Sequence, residues 1–313
     1  MSRAVTYAAY GGPEVLTVTD IDTPLPGPGE VAVRVEAAGV NPADWKVRSG
    51  ARATSPLALP QRIGSDGAGI VTAIGDGIEG LRIGNPVVVF GASGVYASDV
   101  VVPFASIQHR PPQVGAQEGA ALGIPVGTAY QTLRSLGVGA GDTLLVHAGS
   151  GAVGQAVIQF AVLWGVRVVA TSSPRRFERI RGLGAMPVAY GEGLADRLRD
   201  VAPSGISVAI DAAGTDEAIE ASLAVVPNRS HIATLVRGAD ASRFGIRAFG
   251  AGSPLALTPQ QRAWRAEGIP VALALLAAGR FSLELGPTYS LDQAGEAHRV
   301  VQAGIDGKVV LTP

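Results

Sequence analysis

The segment that most limits what this chain can become is residues 143–154, Thr-Leu-Leu-Val-His-Ala-Gly-Ser-Gly-Ala-Val-Gly. An apolar run of strand length leads straight into glycines at 149, 151 and 154, and an apolar helical stretch comes next. Glycine is abundant here (42 of 313 residues), so the spacing alone says little; its place between strand and helix gives it a mechanical meaning. Gly149 makes the tight turn, Gly151 lets the main chain approach a pyrophosphate, and Gly154 lets helix pack on strand. The loop, with Ser150, Ala152 and Val153 between its glycines, then offers main-chain amides and the positive end of a helix to an anion.

The middle of the chain fits that start. Strands are predicted at 143–147, 166–171, 187–190, 207–211 and 231–235, alternating with helices at 152–164, 175–183, 194–201 and 217–225, the pattern of a parallel sheet with crossover helices on both faces. Residues 117–136 read as helix interrupted around 123–125. Upstream the chain is β-rich. Residues 30–36 alternate polar and apolar, a Pro/Gly turn cluster at 24–29 precedes them, and short apolar runs at 69–74, 86–90 and 99–102 suit a small barrel or sandwich. After residue 255 come a helix (259–278), a short strand (282–285), a helix (294–303) and a final strand (307–311). That tail is too short for a core of its own, so it is expected to complete the N-terminal β domain. The expected division is therefore 1–116 with 256–313, and an inserted α/β domain at 117–255.

The second strand of the α/β part indicates which dinucleotide. An NAD site usually carries Asp or Glu there for the ribose 2′-OH. Here the strand runs out into Ser172-Ser173-Pro174-Arg175-Arg176, where hydroxyls and guanidinium groups suit a 2′-phosphate instead, favouring NADPH. Asp211-Ala212-Ala213-Gly214 ends the fourth strand; the small residues, Ala213 among them, allow close cofactor approach, and Asp211 suits fixing the turn.

Composition closes off other classes. A hydrophobic share of 47% supplies a core, and a net charge of −1 gives no basic field for nucleic acid. With no cysteine there are neither disulfides nor thiolate zinc sites. The apolar stretch 144–173 is broken by glycine, glutamine and Arg167, and the first residues lack a signal-peptide pattern, so no membrane partner and a cytoplasmic location are expected. None of the four histidines has triad or metal spacing. His147, before the glycine loop, reads as a structural hydrogen-bonder, and His231 as a member of a buried strand. Trp45, Trp264 and Tyr130 read as packing residues.

Several motifs occur together in order: 38–46 (Ala-Gly-Val-Asn-Pro-Ala-Asp-Trp-Lys), 64–71 (Gly-Ser-Asp-Gly-Ala-Gly-Ile-Val), 127–130 (Gly-Thr-Ala-Tyr), 148–154, and 307–311 (Gly-Lys-Val-Val-Leu). In this the chain resembles the medium-chain dehydrogenase/reductase superfamily, and within it the zinc-free, zeta-crystallin-like NADPH:quinone oxidoreductases. The resemblance implies a GroES-like β-rich catalytic domain with an inserted Rossmann domain, and NADPH across the glycine loop. It places Ser172, Ser173 and Arg176 near the 2′-phosphate, Tyr190 beside the adenosine end, and Asn41 and Thr128 near the nicotinamide and the active-site floor. It also implies a homodimer or homotetramer, with 244–249 as a candidate shared sheet edge. Zinc-dependent alcohol dehydrogenases of the superfamily carry a ligand Cys where this chain has Asn41, and His-Glu where it has Ser65-Asp66, so no metal is expected. Relatives often have a Tyr shortly after an Arg-x-Gly; here Arg48-Ser49-Gly50 is followed by 51–55 without an aromatic.

The expected activity is hydride transfer from NADPH to a small-molecule electron acceptor, a quinone or other electron-poor α,β-unsaturated carbonyl. Asn41 would orient the ring or the acceptor oxygen, and Asp44 is a second candidate catalytic group, with a surface ion pair to Lys46 as its alternative role. The rival readings are an enoyl-thioester or alkenal reductase, and a non-catalytic NADPH-binding protein.

Overall fold

In chain order, the α/β alternation is flanked on both sides by β structure. The computed structural model describes residues 1–51, 56–57, 60–250, 253 and 255–313; most of the segment without an aromatic, 52–55, lies outside them. The first part comprises β1 (Ser2–Tyr7), β2 (Thr17–Ile21), β3 (Glu30–Gly39), α1 (Pro42–Arg48), β4 (Gln61–Arg62), β5 (Asp66–Ile74), β6 (Pro86–Val89), β7 (Asp99–Pro103), β8 (Ile107–His109) and α2 (Ala116–Ala120). Then come α3 (Gly123–Leu136), β9 (Thr143–His147), α4 (Ala152–Leu163), β10 (Arg167–Ser172), α5 (Phe177–Gly182), β11 (Met186–Ala189), α6 (Leu194–Val201), β12 (Val208–Asp211), α7 (Asp216–Val225), β13 (Ile232–Thr234), α8 (Ala241–Phe244) and β14 (Arg247–Ala248). The chain closes with α9 (Pro259–Ala277), β15 (Leu285–Ser290), α10 (Ala294–Ala303) and β16 (Lys308–Thr312).

These elements form two units, Met1–Ile124 with Ile269–Pro313, and Pro125–Gly268. Both crossings fall inside helices, α3 and α9, against expected boundaries at 116/117 and 255/256. The shift has a packing cause. Ala120 of α2 lies in an apolar cluster with Ala37, Ala68 and Val310 of the β unit. At the other crossing, Arg265 and Glu267 of α9 bond to Thr128 and Tyr130 of the α/β unit.

The β unit is organised on β3. Arg34 and Glu36 face solvent while Val31, Val33 and Val35 are buried, as the alternation predicts. β3 pairs antiparallel with β5, β7 and β16, placing Val33 opposite both Val71 and Val100, and Ala38 opposite Leu311. Two register shifts between β3 and β5 bend the strand, as bulges do, so that it serves several partners. The C-terminal tail thus completes the sheet β15-β16-β3-β5-β6-β8, and β1 forms a second sheet between β2 and β4. The pair β1–β2 and the strand at 285–290 were not expected. β2 is largely solvated and lacks an apolar signature, and β15 pairs with β16 through Thr288 and Tyr289 rather than through 282–284.

The α/β unit is one parallel sheet in the order β11-β10-β9-β12-β13-β14, the doubly wound arrangement whose direction reverses between β9 and β12. Leu144, Leu145 and Val146 are fully buried, as a central strand covered on both faces requires. The helix expected at 117–136 does break, into α2 and α3, with Pro125 in the first turn of α3, where its missing N–H costs no helical bond. His231 differs from expectation. It ends a short 3-10 turn, is exposed, and lies with Nδ1 3.3 Å from the Ser207 carbonyl oxygen; the buried strand begins one residue later. Among the described residues no helix is long and apolar enough to cross a membrane. Leu145 sits at the middle of this core, so Leu145→Ala is expected to cost about 2–5 kcal/mol, read as the fall in unfolding free energy in a urea titration.

Candidate functional site

The reversal point of the parallel sheet is where an open α/β fold binds ligands, and the glycine loop lies there. At the end of β9, Ala148 has φ +55°, the one non-glycine residue with positive φ among those described, so strain is held at this turn. Gly149 N donates to the Thr171 carbonyl of β10 (2.9 Å) and Gly151 N to the Ala148 carbonyl (3.1 Å), closing the turn. A Cβ on Gly149 would stand 2.6 Å from the Ala170 methyl, and one on Gly154 would overlap the Ala148 carbonyl, so both are packing requirements. Gly151 differs: a Cβ there would meet only the Ala148 oxygen, at 3.4 Å. It is the exposed N-cap of α4 and provides no side-chain cap, so the first amides of a twelve-residue helix remain available to an anion. Gln155 donates to the Ser150 carbonyl (2.7 Å) and accepts from Arg179 Nε (2.9 Å), tying the loop to α5.

The remaining strand ends carry most of the other predicted nucleotide residues. Ser172 is buried and donates to the Ser173 carbonyl (3.2 Å); in the turn beyond it Arg175 is exposed and Arg176 half-buried. Glu178, the nearest acid in sequence, pairs with Arg181 (2.5 Å). Tyr190, just past β11, is 59% exposed. Asp211 is fully buried. Its carboxylate accepts from the amides of Ala213 (2.9 Å) and Gly214 (2.8 Å) and from the Thr234 hydroxyl (2.7 Å), which fixes the turn and leaves Ala213 exposed. His147 is buried between the Thr171 and Ser222 hydroxyls (3.1 Å each), and burial pushes its pKa down to about 4 against the pull of Asp211, so it is a neutral tie between strands and helix. Thr128, on α3, is nearly buried and accepts from the Arg265 guanidinium (2.5 Å), a partner not identified from the sequence.

Asn41 and Asp44 lie in the β unit, in a sealed polar cluster. Asn41 is the N-cap of α1, and its main-chain N–H donates to Asp44 Oδ2 (2.8 Å), the carboxylate half of a capping box. Its side-chain Nδ2 donates to Asp66 Oδ2 (2.9 Å), and its Oδ1 accepts from the Lys308 ammonium. Tyr96 OH donates to Asp44 Oδ2 (2.8 Å), and the Ile124 amide at the start of α3 donates to Asp66 Oδ2 (2.7 Å). All five side chains are buried, Asn41 to 1% exposure. Asp44 faces Tyr96 rather than a surface partner. Tyr96 and Lys308 are members that sequence reading did not assign to a site; the one signal was a lone lysine opening an apolar strand.

Burial, offset in part by the bonds from Asn41 and Tyr96, raises Asp44 to about 6. The folded protein therefore holds this proton more tightly than the unfolded chain does. The stabilisation is complete below about pH 4 and disappears as pH rises through about 6, a contribution on the order of 3 kcal/mol. His147 and His298, lowered to about 4 and about 3 by burial, act oppositely and lose stability as pH falls below 6.5. Asp44→Asn should leave the histidine slope alone, so its unfolding free energy should climb more steeply than wild type between pH 4 and 6.5 in denaturant titrations.

Comparison with known proteins matches two separate stretches of the chain. Residues 27–112 match the alcohol dehydrogenase GroES-like domain family, and residues 152–248 the zinc-binding dehydrogenase family. Human quinone oxidoreductase is 38% identical over 183 residues, a stretch that covers 58% of this chain and about half (55%) of the human protein. Pig quinone oxidoreductase is 30% identical over 333 aligned positions, covering 99% of this chain and 98% of its own. A mycobacterial protein solved in complex with NADPH superposes with a TM-score of 0.85 at 30% identity, over the whole of both chains.

Proposed function

Because this chain belongs to the quinone oxidoreductase family of medium-chain dehydrogenases/reductases, we propose that it is an NADPH-dependent, zinc-independent reductase of quinones or other electron-poor α,β-unsaturated carbonyls. The observation that carries the reading is the pairing of an uncapped α4 N-terminus with a β10 end rich in hydroxyl and guanidinium groups. The absence of a side chain at Gly151 suits a pyrophosphate, whose charge the first amides of α4 would meet. Ser172, Ser173 and Arg176 would hold the 2′-phosphate, Tyr190 the adenosine, and Thr128 the floor of the site. Bound NADPH would supply hydride from C4 of its reduced ring.

In this reading Asn41 and Asp44 act as positioning groups, since both are buried and hydrogen-bonded within the cluster. Their cluster also bears on the metal. Where zinc-dependent relatives carry the ligand Cys and the His-Glu pair, this chain has Asn41 and Ser65-Asp66, and the Lys308 ammonium already sits on Asn41. A resident cation there opposes a second one electrostatically and balances the carboxylates without it. Among the described residues no cluster of three or more His, Asp or Glu is arranged to hold a metal.

NADPH oxidation is expected with quinones and unchanged after dialysis against EDTA. Activity confined to crotonyl thioesters and alkenals would favour the enoyl-reductase alternative, and tight NADPH binding without turnover on either panel a binding protein. Arg176→Glu should raise the NADPH Kd about ten-fold or more while leaving NADH binding unchanged; equal loss of both would reject the 2′-phosphate assignment.

A further inference from the structure

Residues 190–193, Tyr-Gly-Glu-Gly, join β11 to α6 and have little reason to hold one shape. Gly191 and Gly193 have φ of +107° and +78°, Tyr190 extends into solvent, and a Cβ on Gly191 would touch nothing. One side chain, Arg197, one turn into α6, gathers the loop. Its Nε and Nη2 both donate to the Ala189 carbonyl (3.2 and 3.0 Å). Nη2 also donates to the Gly191 carbonyl (2.8 Å), and Nη1 to the Glu192 carbonyl (2.6 Å). The carbonyls immediately before and after Tyr190 are thus held by a single planar group. Two neighbouring helical arginines pair with acids, Arg199 with Asp196 and Arg181 with Glu178. Among the described residues Arg197 has no carboxylate partner, and its donors go to main chain alone.

We propose that Arg197 is a positioning residue for nucleotide binding: it clamps the main chain on both sides of Tyr190 so that the exposed ring stands ready as a platform for the adenine of the cofactor. The role rests on the NADPH reading proposed for this site. An aromatic ring gives most binding energy when its orientation is set in advance, because the ordering entropy is then not charged to the ligand. The planar fork of a guanidinium can span three carbonyls, whereas a lysine ammonium can carry the charge but not that geometry. Clamp and charge are therefore separable.

The test uses the full chain as wild type, Arg197→Met, Arg197→Lys, Tyr190→Ala and the double variant Tyr190→Ala/Arg197→Met. Hydrogen exchange of the amides at 189–193 is followed without nucleotide. Binding of NADPH and of adenosine 2′,5′-bisphosphate, which has no nicotinamide, is measured by calorimetry. Arg197→Met should speed exchange in 189–193 alone and weaken both ligands by the same factor, about five- to ten-fold, with kcat at saturating NADPH unchanged. Arg197→Lys should recover little of that loss, and remains informative if the methionine variant does not fold. The double variant should bind no more weakly than Tyr190→Ala, since the clamp acts through the ring. Unchanged exchange, additive losses in the double variant, or full recovery by lysine would overturn the clamp. If wild type binds NADPH and Arg197→Met binds it equally well, the clamp fails and the cofactor reading stands. A wild type that binds neither ligand rejects the cofactor reading, and the clamp's role with it.

Discussion

Main chain pressed against main chain at the crossing of β9 and α4 is the constraint on which the α/β unit depends. Gly154 lies so close to the Ala148 carbonyl that no side chain fits between them, and Gly149 is similarly set against Ala170. This closeness brings the helix down onto the strand, points its first amides outward at the sheet's reversal point, and forces Ala148 into a left-handed conformation. Asp211 and Thr234 do comparable work at the adjoining strand ends, where side-chain oxygens take up turn amides that would otherwise lack partners. At the ends of β9 and β12 the turns are therefore mostly main chain, braced by buried side chains.

The β unit solves a different problem, how to bury two carboxylates near each other. Asp66 caps α3 and Asp44 caps α1, so each is used by a helix start, where negative charge is favoured. What remains is a local excess of negative charge, and Lys308 supplies the balance from inside. Asn41, lacking charge, joins the parts by donating to Asp66 and accepting from Lys308. A buried network of this sort is stable only when its members are present together, because any one of them alone would be an unpaired polar group in an apolar setting.

What could be read in advance was local. The glycine loop, the Ser-Ser-Pro-Arg-Arg strand exit, the turn role of Asp211 and the structural role of His147 each depend on residues a few positions apart, and turn chemistry ties such neighbours to a shape. The alternation of strand and helix likewise gave the parallel sheet. The Asn41 cluster was illegible as a cluster because Asp66 and Lys308 lie 25 and 267 positions from Asn41, and Tyr96 lies 52 from Asp44; Asp66 and Lys308 reach Asn41 through the pairing of β3 with β5 and with β16. Thr128 and Arg265 are 137 positions apart, and neither carries a local signal that it needs the other. β15 was misplaced because its pairing partner, rather than its own periodicity, decides where it begins.

The contribution of Lys308 from the last strand also sets an order of events during synthesis. The α/β unit is one uninterrupted stretch and can fold as soon as it has left the ribosome. Its β companion cannot, since Asp44 and Asp66 precede their counter-charge, Lys308, by 264 and 242 residues. Until then Asp44 and Asp66 lack the ammonium that balances their cluster, which favours keeping them open to water. The acids of this cluster are thus expected to wait, solvated, until Lys308 has been made, while the α/β unit between them closes first.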